Sequence, residues 1–448
     1  MTLPEHLTIT GPEDILGFIP HSLGYWPADS LVALTMQGKR LGATLRIDLP
    51  AAGSPSELRQ FSRSVGAYLE ADAAADGTLL AFFTNEARIL EGHPTGHGLN
   101  GAVANDGWFA DDCRFADVEA GGRQNGFPLP SRLAKLLVAL ETELCSAGMP
   151  VRDAWVIGDV SWRSAYCSDP DCCPPAGHPV DEIRNSRLNA EMVFRGSSVG
   201  ADPADAAAQT APRPCPDLPV LECEGRWTRD LLPRRRSRGQ FEDVLNIWTR
   251  VLSSEAVSPL PSELAGYLRA SLLVPPWRDA VLVMAAAGRL AAERGAEEFG
   301  IFDDDECLPV LTPRLDWPQP GTTDHGCGGA DSPGSGPAGA VPGYGDVLLG
   351  LAPAVPRWEG LRRLEQVLVE LGWSGGGEAS AAALTARGWI EWCRGRGSFA
   401  DALLGQAARV QPGYRLAELL AEMVRRGMLC GWAGRKESAW QRFEPDAA

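Results

Sequence analysis

The chain has 448 residues and a mass of 47.9 kDa, with 41 basic and 58 acidic side chains, a formal charge of −17 and 44% apolar residues. That apolar content at that length supports two or three cored domains and excludes full-length disorder or a fibrous repeat. The acidic balance repels phosphate and excludes general nucleic-acid binding unless a local basic patch overrides it.

The first 199 residues predict an α/β domain, a mixed sheet with packed helices. Short apolar runs at Leu31 to Thr35, Ala43 to Leu49, Thr78 to Thr84 and Ala154 to Asp159 have strand length. Ser54-Pro55-Ser56-Glu57 has the form of a capping box with proline at the first helical position. Leu58, Phe61, Val65 and Leu69 follow it as one helical stripe, and Arg132 to Ala147 gives a second through Leu133, Leu136, Leu137, Leu140 and Leu144.

Residues 200–239 read as a Pro/Arg-rich connector, with five prolines between 200 and 219. Residues 240–325 read as helical. Ser237 is placed to cap a helix carrying Phe241, Val244, Leu245, Trp248 and Leu252, and Pro276 to Arg294 predicts another, closed by Gly295. Residues 326–345 hold eight glycines and three prolines, a flexible linker. Residues 346–448 return to helix, first with Leu361, Leu364, Leu368 and Leu371.

Within that last region, Gly388, Ala400, Ala407 and Pro412 fall where a tetratricopeptide repeat places its small residues and its proline, counting from Ala381. Arg387 and Glu391 replace the usual Leu and Tyr, and no second copy follows. The spacing predicts a helical hairpin rather than a peptide-binding array.

The chemistry concentrates in Tyr166 to His178. Cys167, Cys172, Cys173 and His178 in a C-x4-C-C-x4-H spacing form a candidate zinc site, since thiolate and imidazole suit that ion. The alternatives are a redox role and packed structural thiols. Cys215 and Cys223 are the conceivable outside ligands. Asp29, Ser30, Arg46 and Asp48 are candidate ligand-binding residues; the bland reading of the first two is a turn, and of the last two an exposed ion pair.

Arg226, Arg229, Arg234, Arg235, Arg236 and Arg238 offer an anion site or a solvated segment pairing with the chain's own acids. Asp303, Asp304, Asp305 and Glu306 read as solvated, and His93 and His97 as a loop. No phosphate-loop or H-E-x-x-H motif occurs, and no catalytic residues are assigned.

Eleven cysteines behind an N-terminus without a basic and then apolar segment predict reduced thiols and a cytoplasmic protein. The longest apolar stretch is far short of a membrane span. Arginine outnumbers lysine 38 to 3, which looks like a high-GC coding bias.

Several segments together resemble an actinobacterial family catalogued as domain of unknown function 4192. They are Gly24 to Val32, Arg46-Ile47-Asp48-Leu49-Pro50, Trp162 to Gly177, Trp389 to Gly397 and Pro412 to Leu420. The resemblance implies an α/β front and a helical rear, and carries no activity. The expected function is a non-catalytic cytoplasmic binding or scaffold protein, with protein contacts through the C-terminal helices. The alternatives are an enzyme with its site in the α/β domain, and a thiol- or zinc-dependent sensor using the Cys167 to His178 loop.

Overall fold

The computed structural model describes residues 9–50, 54–84, 129–167, 169–174, 176–213, 215–254, 259–303, 308–314 and 341–440. The chain forms two compact units, Met1–Asp202 and Pro203–Ala448.

In the first unit, α1 (Pro12–Leu23) starts on Pro12 and ends where Gly24 takes the left-handed φ of 92°. β1 (Ser30–Gln37) and β2 (Arg40–Asp48) form an antiparallel hairpin turning at Gly38. The Ser54–Glu57 capping box forms in both directions and launches α2 (Pro55–Leu69). There follow β3 (Gly77–Phe83), α3 (Ser131–Ser146), β4 (Val151–Ile157), β5 (Ser161–Ser164), β6 (His178–Pro179), α4 (Val180–Arg184) and α5 (Arg187–Phe194).

The sheet order is β2-β1-β3-β4-β5-β6; β3 and β4 run parallel and the other neighbours antiparallel. Both faces are covered. Leu31, Ala33, Leu80, Phe82, Ala154 and Val156 meet the leucine stripes of α2 and α3. The alternate residues Val32, Leu34, Ala81 and Trp155 meet Ile15, Leu16 and Ile19 of α1 and Ile183 of α4. A central strand buried on both faces reads as a continuous apolar run, as Leu31 to Leu34 does. β5 and β6 were not legible, because four residues and two residues are too few to show a period.

The second unit is helical: α6 (Pro203–Gln209), α7 (Leu218–Leu231), α8 (Arg238–Ser253), α9 (Ser262–Leu272), α10 (Pro275–Ala287), α11 (Arg289–Glu298), α12 (Tyr344–Leu348), α13 (Trp358–Trp373), α14 (Gly377–Cys393), α15 (Gly397–Val410) and α16 (Arg415–Arg425). One core cluster runs through it from Ala207 to Trp432. Fully buried Arg269 ties it together, with Nε 2.6 Å from Glu224 of α7 and Nη1 3.0 Å from Ser380 of α14. α9 and α10 bend by 105° at their junction, and among the described residues no single helix is long and apolar enough to cross a membrane.

The hairpin expected from the small-residue spacing is α14 and α15. A Cβ on Gly388 would come within 2.9 Å of Leu404 Cγ, Ala400 and Ala407 are fully buried, and Pro412 follows the end of α15. Ser237 accepts from the Gln240 N–H at 3.3 Å and caps α8 as expected.

Two expectations are corrected. The 200–239 connector contains α6 and α7, and Trp227 and Leu231 of α7 are buried in the core. Prolines 203 and 219 sit in the first turns of these helices, where a missing N–H costs nothing. The helix expected over Pro276 to Arg294 breaks at Gly288, whose φ of 93° and ψ of 165° no helix accommodates. Gly295 lies inside α11, where its bare Cα lets Tyr344 pack closely. Residues 326–340 of the linker, Asp304 to Glu306, and His93 and His97 lie outside the described residues.

Candidate functional site: a three-thiol loop at the sheet edge

The cysteine loop is the connection between β5 and β6, and the pairing of those strands closes it. Trp162 stands opposite His178 and Ser161 opposite Pro179. Gly177 has φ of 75°, and a Cβ there would lie 2.9 Å from the Trp162 carbonyl oxygen, so only glycine lets the strands meet. Inside the loop, Ser164 Oγ accepts from the Tyr166 and Cys167 N–H groups at 3.2 and 3.3 Å. Asp169 Oδ1 accepts from the Asp171 N–H at 2.9 Å, and the Cys173 N–H reaches the Asp169 carbonyl at 2.7 Å. These local bonds fold the chain back on itself.

The result is a thiol cluster. The sulfurs of Cys167, Cys172 and Cys173 all lie within 4.8 Å of one another, with Cys172 exposed, Cys167 half-buried and Cys173 buried. Zn–S bonds of ~2.3 Å in a tetrahedron put sulfurs about 3.8 Å apart, so the three thiols stand within about an ångström of a zinc face.

The electrostatics follow from the crowding of the thiols. The neighbouring Cys167 thiol, together with burial, raises Cys172 above the ordinary thiol range. Burial first, and then the same crowding, push Cys173 up to about 11, against the hydrogen bond it accepts from the Ser164 N–H. Thiolates this close oppose one another's ionisation, and a divalent cation among them reverses that logic. Arg163, largely buried in β5, lies near enough to Cys173 for their charges to interact.

His178 is not brought into the cluster. Its Nε2 meets the Cys172 carbonyl oxygen at 2.7 Å and its Nδ1 faces Glu182 Oε2 at 3.3 Å. A carbonyl oxygen only accepts, so Nε2 carries a proton there and offers no lone pair to a metal. The ring stacks on Trp162 with centroids 4.6 Å apart. Cys215 and Cys223 belong to the helical unit; the Cys223 thiol donates to Glu263 at 3.3 Å. Cys215 lines a cleft of about 390 Å³ with Arg213, Asp217, Glu370 and Trp373.

Ser30, Arg46 and Asp48 do come together. Arg46 Nε donates to Ser30 Oγ at 2.9 Å, its Nη2 lies 2.6 Å from Asp48 Oδ1, and Ser30 Oγ donates to the Ala28 carbonyl. Ser30 is fully buried and Asp48 largely exposed. Asp29 takes a left-handed φ of 43° and uses its carbonyl to accept the Leu49 N–H at 2.9 Å. The groups spend their bonds on one another and on the chain, bracing the turn into β1. That is the bland alternative, with the addition that Arg46 spans both readings.

The arginine run also pairs internally. Arg226 meets Glu263, Arg236 meets Asp303 at 3.8 Å, Arg238 meets Glu297 at 2.6 Å, and Arg234 donates to the Pro309 carbonyl at 2.8 Å.

Sequence reasoning missed Trp162 and Ser164, which shape the thiol loop. A serine three residues before a cysteine was the available signal for the turn.

Among known families, the one described as a domain of unknown function (DUF4192) matches residues 12–296 and 357–429. These ranges contain the thiol loop, Ser30, Arg46 and Asp48, and every segment that carried the resemblance. No curated protein matches, and no solved structure does.

Proposed function

The chain belongs to the DUF4192 family, and from that premise we propose that it is a non-catalytic binding protein whose α/β unit is held in shape by one zinc ion on Cys167, Cys172 and Cys173. The observation that carries the reading is the approach of three sulfurs to within 4.8 Å on one short loop. Three thiolates around Zn²⁺ leave a net negative centre. Such a centre draws little charge from a bound water, whereas hydrolytic zinc must make that water acidic. The fourth position therefore suits a structural or partner-supplied ligand better than a hydroxide nucleophile. The raised thiols disfavour the sensor reading, because an oxidant-sensing cysteine reacts as thiolate.

Protein contacts belong to the helical unit in this reading. α16 is amphipathic yet buries fully only Ala417, and Leu419, Met428 and Leu429 stay about half exposed. The reading sets the protein in the cytoplasm, whose reducing poise keeps thiols available to a metal. The excess of arginine over lysine fits the high-GC, actinobacterial source that the resemblance implies.

Cobalt substitution tests the site. The full chain, reduced and loaded with one equivalent of Co²⁺, is expected to show the intense near-ultraviolet bands of thiolate-to-cobalt charge transfer and visible bands of tetrahedral cobalt. Cys172→Ser is expected to weaken both. Spectra like those of hexaaquo cobalt would contradict the proposal.

A further inference from the structure

Arg387 and Glu391, which stand where a tetratricopeptide repeat has leucine and tyrosine, lie one turn apart on α14. Arg394, the residue that ends α14, continues the same face at the seventh position. The carboxylate of Glu391 is shared by two neighbours, with Oε1 3.0 Å from Arg394 Nη1 and Oε2 3.1 Å from Arg396 Nη1. Glu365 of α13 approaches the same Arg394 nitrogen at 2.7 Å. Trp440 lies against both guanidinium groups, its ring centroid 5.3 Å from Arg394 Cζ and 5.8 Å from Arg396 Cζ.

Arg387 is left out of these pairs. It is only 8% exposed, yet among the described residues no hydrogen bond engages its side chain and no carboxylate oxygen lies within 4.0 Å of it. Its Nε is buried without a partner, as is the Nε of Arg394. A buried charge without a partner is costly, and an arginine does not escape the cost by releasing its proton. Three arginines against two glutamates leave the group with one positive charge in excess.

We propose that Arg387 anchors an anion site in the helical unit, and that its ligand is the carboxylate of a small acid. A guanidinium presents parallel N–H donors that match the two oxygens of a carboxylate. A singly charged head balances the one charge in excess. Doubly charged phosphate would instead set surplus negative charge beside Glu365 and Glu391, where like charges repel. The narrow exposure of Arg387 admits a head group and little more. The thiol loop belongs to the other unit and takes no part.

The test follows thermal unfolding of the full-length chain in sodium acetate, beside sodium chloride and sodium phosphate at matched ionic strength and neutral pH. A ligand held by the folded state raises the midpoint as its concentration grows. Acetate is expected to raise it above the chloride reference, and saturation-transfer NMR is expected to show the acetate methyl protons in contact with the chain. Arg387→Met keeps the length of the side chain without its charge, and is expected to weaken acetate binding by about tenfold or more in both readouts. Arg409→Met, at an exposed position of α15, is expected to respond as the parent does. Should Arg387→Met fail to fold, Arg387→Lys takes its place, since it keeps the charge, loses the fork and is expected to bind acetate more weakly. No acetate effect beyond that of chloride, a parental response in the Arg387 variant, or a larger response to phosphate than to acetate would overturn the proposal.

Discussion

His178 lies face to face with Trp162, ring centroids 4.6 Å apart and planes inclined by 22°, and its Nε2 meets the carbonyl oxygen of Cys172 at 2.7 Å. The imidazole is therefore a strut for the thiol loop. His178→Ala is expected to keep a full equivalent of zinc and to cost about 1 kcal/mol of stability through the lost hydrogen bond and stacking. Metal content and urea melts read the two effects separately. Loss of zinc in this variant would restore the histidine to the ligand set.

Removal of a thiol should behave differently. Cys172→Ser and Cys173→Ser are each expected to bind zinc at least tenfold more weakly than the parent. Chelator is expected to lower the melting temperature of the parent and leave these variants unmoved. Because Cys172 and Cys173 sit above the ordinary thiol range, they remain protonated near neutrality and must release protons to bind. Zinc affinity should then rise with pH, by up to about two decades per pH unit for these two protonated thiols. A flat profile between pH 6 and 8 would show that the thiols do not carry the metal.

Asp153 on β4 gives a pH test independent of metal. Burial raises its pKa to about 6, against the Ala154 N–H that it accepts. With the folded value above the ordinary 3.8, the folded chain holds this proton more tightly. The stability it contributes is full below the unfolded pKa and is lost as pH rises through 6. Asp153→Asn is thus expected to match the parent near pH 4 and to exceed it above pH 7 by up to about 3 kcal/mol. Urea melts of the two chains across that range check the sign; an equal difference at every pH would contradict it.

Gly388 tests the helical hairpin. With Leu404 Cγ 2.9 Å and Ala400 O 3.4 Å from the position of a Cβ, Gly388→Val must push α15 away from α14. A loss of about 1–3 kcal/mol is expected from overpacking, whereas Gly376→Val, with nothing within 4 Å of its Cβ, serves as the neutral-space control. Equal losses at both would refute the close approach.

The sequence made legible those elements whose period is long enough to repeat. Leu133 to Leu144 repeats over about three turns, and Leu31 to Leu34 has to be buried on both faces. Gly388, Ala400 and Ala407 marked a close helix pair through size alone. The break at Gly288 was hidden because its neighbours on both sides keep the helical stripe, and only its backbone dihedrals end α10. In the loop, residue types named the three thiols, but direction could not be read. His178 has the right chemistry and lies five residues beyond Cys173, yet its strand pairing with Trp162 turns the ring onto a carbonyl. The alternation of β2 put Arg46 and Asp48 on one face, while the meeting of Arg46 with Ser30 of β1 is seen only in the strand pairing.

The zinc content of the full-length chain, purified under reducing conditions and measured by elemental mass spectrometry beside Cys172→Ser, tests the central claim most directly. The account predicts one zinc per parent chain and a clear deficit in the variant. Equal metal in both, or a parent chain that neither carries zinc nor takes it up from micromolar solution, would contradict it.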